Sequence, residues 1–175
     1  MKNEEKDIIE RGLSKLVPPV KDTIIIAPHP DDEIIGCYDQ LMSENPTIVI
    51  YSGDLDANRR EEALGLKEHV DIKLQLFLMN VPQALLNTRN TYYFPDPIYE
   101  LHPLHRQWGT LGEQLARVGF DIVFYSTNMN SPYIHEAQYP DKKRDLLDKV
   151  YPNQKDLWKY DHKYFLFEGK CKWIF

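Results

Sequence analysis

The chain has 175 residues and a net charge of −6, with 42% hydrophobic and 27% charged residues. That length suits one α/β domain with a substantial core, and the balance excludes a disordered chain or a fibrous repeat. The acidic surplus gives no electrostatic footprint for broad nucleic-acid binding. Cys37 and Cys171 form no CxxC spacing, so neither a disulfide framework nor a thiolate zinc site is expected. The charged N-terminus and the lack of a long apolar run predict a cytoplasmic protein with no membrane span.

Within residues 4–16, Ile8, Ile9, Leu13 and Leu16 recur at helical spacing, predicting an amphipathic helix that Pro18 and Pro19 end. Thr23 to Ala27 is a β-branched run without alternation, the pattern of a strand buried on both faces of a parallel sheet. After the polar segment PHPDDE, Ile34 to Met42 reads as a helix and Thr47 to Tyr51 as a second strand. Arg59 to Val70 presents Ala63, Leu66 and Val70 on one helical face, and Ile72 to Met79 has a third strand pattern. Residues 80–101 read as a long irregular loop, aromatic and rich in proline.

Arg106 to Val118 carries a helical stripe of Trp108, Leu111 and Leu115, and Asp121 to Tyr125 reads as a fourth buried strand. A polar loop, a charged helix over Lys142 to Val150 and a last strand over Tyr164 to Phe167 complete the chain. The βαβαβ rhythm predicts an α/β fold: a Rossmann-like, mostly parallel sheet flanked by helices. One domain is expected over 1–175, its core at about 22–154, with a short C-terminal extension.

Two short motifs carry the chemistry. Pro28-His29-Pro30-Asp31-Asp32-Glu33 follows the first buried strand, where open α/β sheets bind ligands. Adjacent carboxylates repel unless a cation offsets them, and a neighbouring imidazole is a good ligand for a divalent metal. The same residues also suit a helix cap, with Asp31 or Asp32 accepting free N–H groups. The second motif, His102-Pro103-Leu104-His105, opens the Arg106 helix; proline is tolerated in a first turn, and residues three apart share a face. Zinc catalysis typically uses three protein ligands, so one of these histidines would complete a set with His29 and Asp32. His135, beyond the fourth strand, is the rival third ligand.

HPDDE and HPLH resemble the motifs of the PIG-L/LmbE-like metal-dependent de-N-acetylases, HPDDE and HPxH. The resemblance covers roughly residues 22–154, through Arg60-Glu61-Glu62 to the closing stretch KRDLLDKVYPNQ. It implies His29, Asp32 and His105 as metal ligands, Asp31 as general base, and His102 as the residue that stabilises or protonates the tetrahedral intermediate. It also implies that Arg60 faces the substrate, with Arg59 beside it. Leu104 stands where relatives commonly have aspartate, so that carboxylate's role is missing here.

The implied cofactor is zinc, or else ferrous iron. The implied reaction removes acetyl from an N-acetylated sugar such as N-acetylglucosamine, or from a related conjugate, releasing acetate and a free amine. The competing reading is a non-catalytic module that binds a glycan or conjugate in the same cleft. Dinucleotide binding has no support, because no G-x-G-x-x-G follows the first strand.

Overall fold

The computed structural model describes residues 21–43, 47–53, 55–128, 130–159 and 161–172. The helix expected at 4–16 lies outside them. The chain forms β1 (Thr23–Ala27), α1 (Asp32–Leu41), β2 (Thr47–Tyr51), α2 (Ala57–Gly65), β3 (Leu74–Phe77) and β4 (Thr91–Pro95). Next come α3 (Pro103–Arg117), β5 (Asp121–Ser126), β6 (Ile134–Glu136) and α4 (Pro140–Val150). Two short helices, α5 (Lys155–Lys159) and α6 (Lys163–Leu166), lead into β7 (Phe167–Cys171). The sheet has seven strands in the order β3-β2-β1-β4-β5-β7-β6. The first five pair in parallel and the last two antiparallel, an α/β, mostly parallel, Rossmann-like arrangement. Among the described residues no helix is long and apolar enough to cross a membrane.

Alternate side chains of a strand face opposite sides of the sheet, so each central strand feeds two cores. Ile25, Ala27, Val49 and Tyr51 pack with Ile34, Ile35, Ala63, Leu146 and Leu147 from α1, α2 and α4. Ile24, Ile26, Ile48 and Ile50 pack with Trp108 of α3 on the other side. Burial on both faces explains why these strands read as unbroken apolar runs.

The stretch expected to be irregular at 80–101 contains β4, which sits between β1 and β5. Tyr92 and Phe94 are fully buried in the α3-side core, while Tyr93 faces the other side. The strand at Asp121–Ser126 is therefore the fifth, not the fourth. Pro95 disguised β4 because proline cannot donate to a ladder; here it is the last residue, and Asp96 N–H donates to Tyr125 O at 2.7 Å instead. The strand expected at Tyr164 to Phe167 is the single-turn helix α6, and β7 starts only at Phe167.

Helix α1 departs from helical geometry at Cys37 (φ −137°, ψ 26°). Beside this kink the Lys143 side chain, fully buried on α4, donates to Ile35 O at 2.6 Å, Phe167 O at 3.0 Å and Glu168 Oε1 at 3.3 Å. Burial lowers its pKa to about 8, against the opposing pull of Glu168.

Candidate metal centre

β1 and β4 are neighbours in the sheet, yet β1 continues to α1 on one face and β4 to α3 on the other. Diverging connections of this kind open a crevice at the carboxyl ends of the strands. The β1 arm turns through Pro28 to Asp31, and Asp31 takes φ 112°, the one positive φ at a non-glycine among the described residues. Asp31 caps α1 only through its backbone: its carbonyl accepts from Ile34 N and Ile35 N, and its side chain makes no cap bond. Asp32 turns back, its Oδ2 accepting the His29 N–H at 2.7 Å. Neither carboxylate side chain serves as a helix cap.

On the β4 arm, Asp96 Oδ1 accepts from Ile98 N and Tyr99 N, setting the turn that carries Glu100 and His102 toward the crevice. His102 is the N-cap of α3, its Nδ1 accepting from Leu104 N at 3.2 Å, with Pro103 in the first turn. Gly109 lets α3 press against the β4 exit: a Cβ there would lie 2.5 Å from Pro95 O and 2.6 Å from Pro97 N. That close approach seats His105, one turn earlier, in the crevice with 4% exposure.

The two arms bring three donors together. His29 Nδ1 is 2.9 Å from His105 Nε2, His105 Nε2 is 3.1 Å from Asp32 Oδ2, and His29 Nδ1 is 3.5 Å from Asp32 Oδ2. Tetrahedral zinc with bonds of about 2.0–2.1 Å needs donors about 3.3–3.4 Å apart, so the triangle fits such an ion with small adjustments. His102 stands beside it, its ring 4.7 Å from that of His29, and contributes to the same histidine group. Behind His105, the buried Glu100 places Oε2 3.0 Å from Nδ1. A carboxylate there keeps the proton on Nδ1 and leaves the Nε2 lone pair facing the other donors. Glu100 is itself held by Thr127 N–H, the Thr127 hydroxyl and Asn128 Nδ2.

The electrostatics follow from burial and crowding. Burial works against the Asp32 carboxylate, but the His105 charge and hydrogen bonds from His105 and His29 outweigh it and hold the pKa well below the usual range. Asp31 moves the other way: burial, then the charges of Asp32 and Glu33, push it well up, and Arg59 only partly compensates. Burial also disfavours charged His105, but Asp32 and Glu100 prevail and raise its pKa to about 10. The His102 pKa is lowered by desolvation and by the neighbouring histidines. Fully buried Glu33 is raised to about 7 by desolvation; it accepts from Tyr151 OH and from Asp31 N–H at 3.1 Å, so it braces the Asp31 turn from below.

His29, Asp31, Asp32, His102 and His105 line an open cleft of about 350 Å³, with Ile35, Arg59, Thr127, Leu157 and Tyr164 in its wall. Arg60, expected to face this cleft, does not line it. Asp56 caps α2 by accepting Arg59 N–H at 2.9 Å, and the resulting helical phase sends Arg59 inward and Arg60 across the Phe77 ring. Arg59 donates to Pro30 O at 3.3 Å and to Gln154 Oε1, and lies 3.7 Å from Asp31 Oδ2. Its Nε is buried with no hydrogen-bond partner among the described residues. His135, the rival ligand, sits on edge strand β6 and groups with Asp39 and Glu168 instead of the crevice residues.

Arg59 and Glu100 are the residues sequence reasoning missed. Arg59 was visible only as a neighbour, and an acid shortly before HPLH was the single signal for Glu100. No family model, curated protein or solved structure matches the chain.

Proposed function

We propose that the protein is a metal-dependent N-deacetylase that releases acetate and a free amine from an N-acetylated sugar or a related conjugate. The observation that carries this reading is the convergence of His29 Nδ1, Asp32 Oδ2 and His105 Nε2 within 2.9–3.5 Å, with the buried Asp31 beside them. The resemblance of HPDDE and HPLH to the de-N-acetylase motifs is what narrows hydrolysis to an acetamide.

A divalent cation held by the three donors, zinc or ferrous iron, supplies Lewis acidity: it polarises a carbonyl and acidifies water. Asp31, buried beside the three donors, is the base that takes a proton from the attacking water. His102 accepts Leu104 N–H at Nδ1, so its neutral ring carries its proton on Nε2. That N–H donates to the amide oxygen as negative charge develops there. The proton held by Asp31 then passes to the leaving nitrogen.

The test is elemental analysis of the zinc-loaded protein together with acetate release from N-acetylglucosamine and other N-acetylated sugars, with and without chelator. Chelator-sensitive acetate release is expected. Stoichiometric metal with no acetate from any compound would reject the reaction and leave the binding-module reading.

A further inference from the structure

Asp31 holds φ 112°, a value that an L residue keeps only where its surroundings impose it. Rotation of the peptide plane between Pro30 and Asp31 would relieve that angle, so the groups at its two ends decide whether it persists. At the carbonyl end, Pro30 O accepts from Arg59 at 3.3 Å and from Gln154 Nε2 at 3.4 Å. At the amide end, Asp31 N–H donates to Glu33 Oε2 at 3.1 Å, and the other oxygen of Glu33 accepts from Tyr151 OH.

Tyr151 and Gln154 belong to one turn, which follows α4. It closes through Gln154 N–H on Tyr151 O at 3.0 Å and is tied to α2 by Asn153 N–H on Glu62 Oε1 at 3.0 Å. Tyr151 is fully buried, and the single proton of its hydroxyl goes to Glu33. Tyr51 OH, 3.4 Å away, therefore donates to Tyr151, and Gln75 Nε2 on β3 donates to Tyr51 at 3.4 Å. These donors all point one way, toward Glu33. Neither Tyr151 nor Gln154 lines the metal cleft.

We infer that the turn at 151–154 is the positioning element of the base in the proposed reaction. Tyr151 through Glu33, and Gln154 directly, hold the Pro30–Asp31 peptide by both ends and so aim the Asp31 carboxylate. This rests on the reading of Asp31 as the base. The metal donors on the same arm are fixed separately, by His29 N–H on Asp32 Oδ2 at 2.7 Å and Asp32 N–H on His29 O at 3.3 Å. Loosening the peptide therefore misdirects the base without dismantling the ligand set, and a misdirected base lowers kcat and leaves KM in place.

The test uses the full-length zinc-loaded protein and reads acetate release from N-acetylated sugars, zinc competition and hydrogen exchange of the Asp31 amide by NMR. Tyr151→Phe is expected to lower kcat about tenfold, the effect of one lost hydrogen bond, with KM and zinc affinity within twofold of wild type. Exchange at the Asp31 amide should speed up by a similar factor. Tyr125→Phe is the control: it removes another buried hydroxyl, one that donates to Ile26 O at 2.6 Å, and should cost stability while kcat stays within twofold. Gln154→Met releases the carbonyl end and should lower kcat in the same sense; it decides the matter alone if Tyr151→Phe does not fold. A kcat within twofold of wild type in the folded variants overturns the inference, as does a loss of kcat matched by a loss of zinc affinity. If the wild type releases no acetate, the reaction itself fails, and exchange at Asp31 judges the positioning alone. Exchange that quickens in Tyr151→Phe but not in Tyr125→Phe supports it, and equal exchange in all three proteins overturns it.

Discussion

Replacing Glu100 by glutamine keeps the size of the side chain and removes its charge. Glu100 is 3% exposed, and its Oε2 meets His105 Nδ1 at 3.0 Å while Oε1 accepts Thr127 N–H, so the substitution removes the charge and turns one of two buried acceptors into an NH2 donor. Hydrogen bonds to charged groups contribute about 1.5–3 kcal/mol and neutral ones about 0.5–1.5 kcal/mol, a difference of about 1–1.5 kcal/mol. Loss of partners behind a metal-bound histidine costs about 10–100-fold in affinity, so the structure sets the expectation at the lower end, near tenfold. Alanine would be a poorer probe, because it would also leave the buried Thr127 N–H without its acceptor.

The assay is zinc competition against a chromophoric chelator, paired with thermal unfolding of the metal-free protein to verify folding. A folded Glu100→Gln protein that binds zinc within twofold of wild type would refute the role given to Glu100.

Further predictions concern the donors and their supports. Asp31→Ala should abolish acetate release while zinc remains bound, and His29→Ala should weaken zinc itself; full activity in either variant rejects that residue's role. His105→Ala should empty the site while His135→Ala leaves zinc content unchanged, as measured by elemental analysis, and the reverse pattern would move the third ligand to β6. Gly109→Ala should destabilise the fold by roughly 1–3 kcal/mol, the usual cost of overpacking, and lower zinc affinity with it. Its Cβ meets backbone at Pro95 and Pro97, so α3 must lift and carry His105 away; an unchanged melting temperature would show that the helix has slack.

Glu33 gives a pH prediction. Its folded pKa of about 7 exceeds the ordinary 4.5, so the folded state holds the extra proton between those values and stability falls as pH rises through that window. At about 1.4 kcal/mol per unit, the loss reaches roughly 3 kcal/mol. Glu33→Gln should therefore gain stability relative to wild type from pH 4.5 to 7 in denaturant unfolding. A wild-type-to-variant difference that stays constant across this range would rule the linkage out.

Much of the fold was legible wherever burial on both faces leaves an unmixed apolar run. β1 and β2 were read at their observed limits because nothing but Ile, Val, Ala, Thr and Tyr occupies them. β4 was not, since its aromatic residues precede Pro95 and follow a polar turn, a composition shared with loops. β7 carries Glu168, Gly169 and Lys170 in its centre; it is held by pairing with β5 and β6 and by the buried Lys143–Glu168 contact, which local sequence does not display. The five residues of HPDD and HPLH that meet at the crevice were all named beforehand, because their spacing from a strand end and a helix start is local. The Arg59/Arg60 choice depended on the helical phase set by Asp56, and the Glu100 contact on where Thr127 and Asn128 return from β5.

Lys143 ties distant parts of the chain to one fate. Its ammonium joins the carbonyl of Ile35, just past the metal-binding turn, to Phe167 and Glu168 on the antiparallel margin of the sheet. A protein cut before Phe167 would strand that cation in a dry interior, and the disturbance would be felt first in α1, beneath Asp31 and Asp32. The antiparallel strands are thus a keystone for the chemistry at the start of α1 and not a removable fringe.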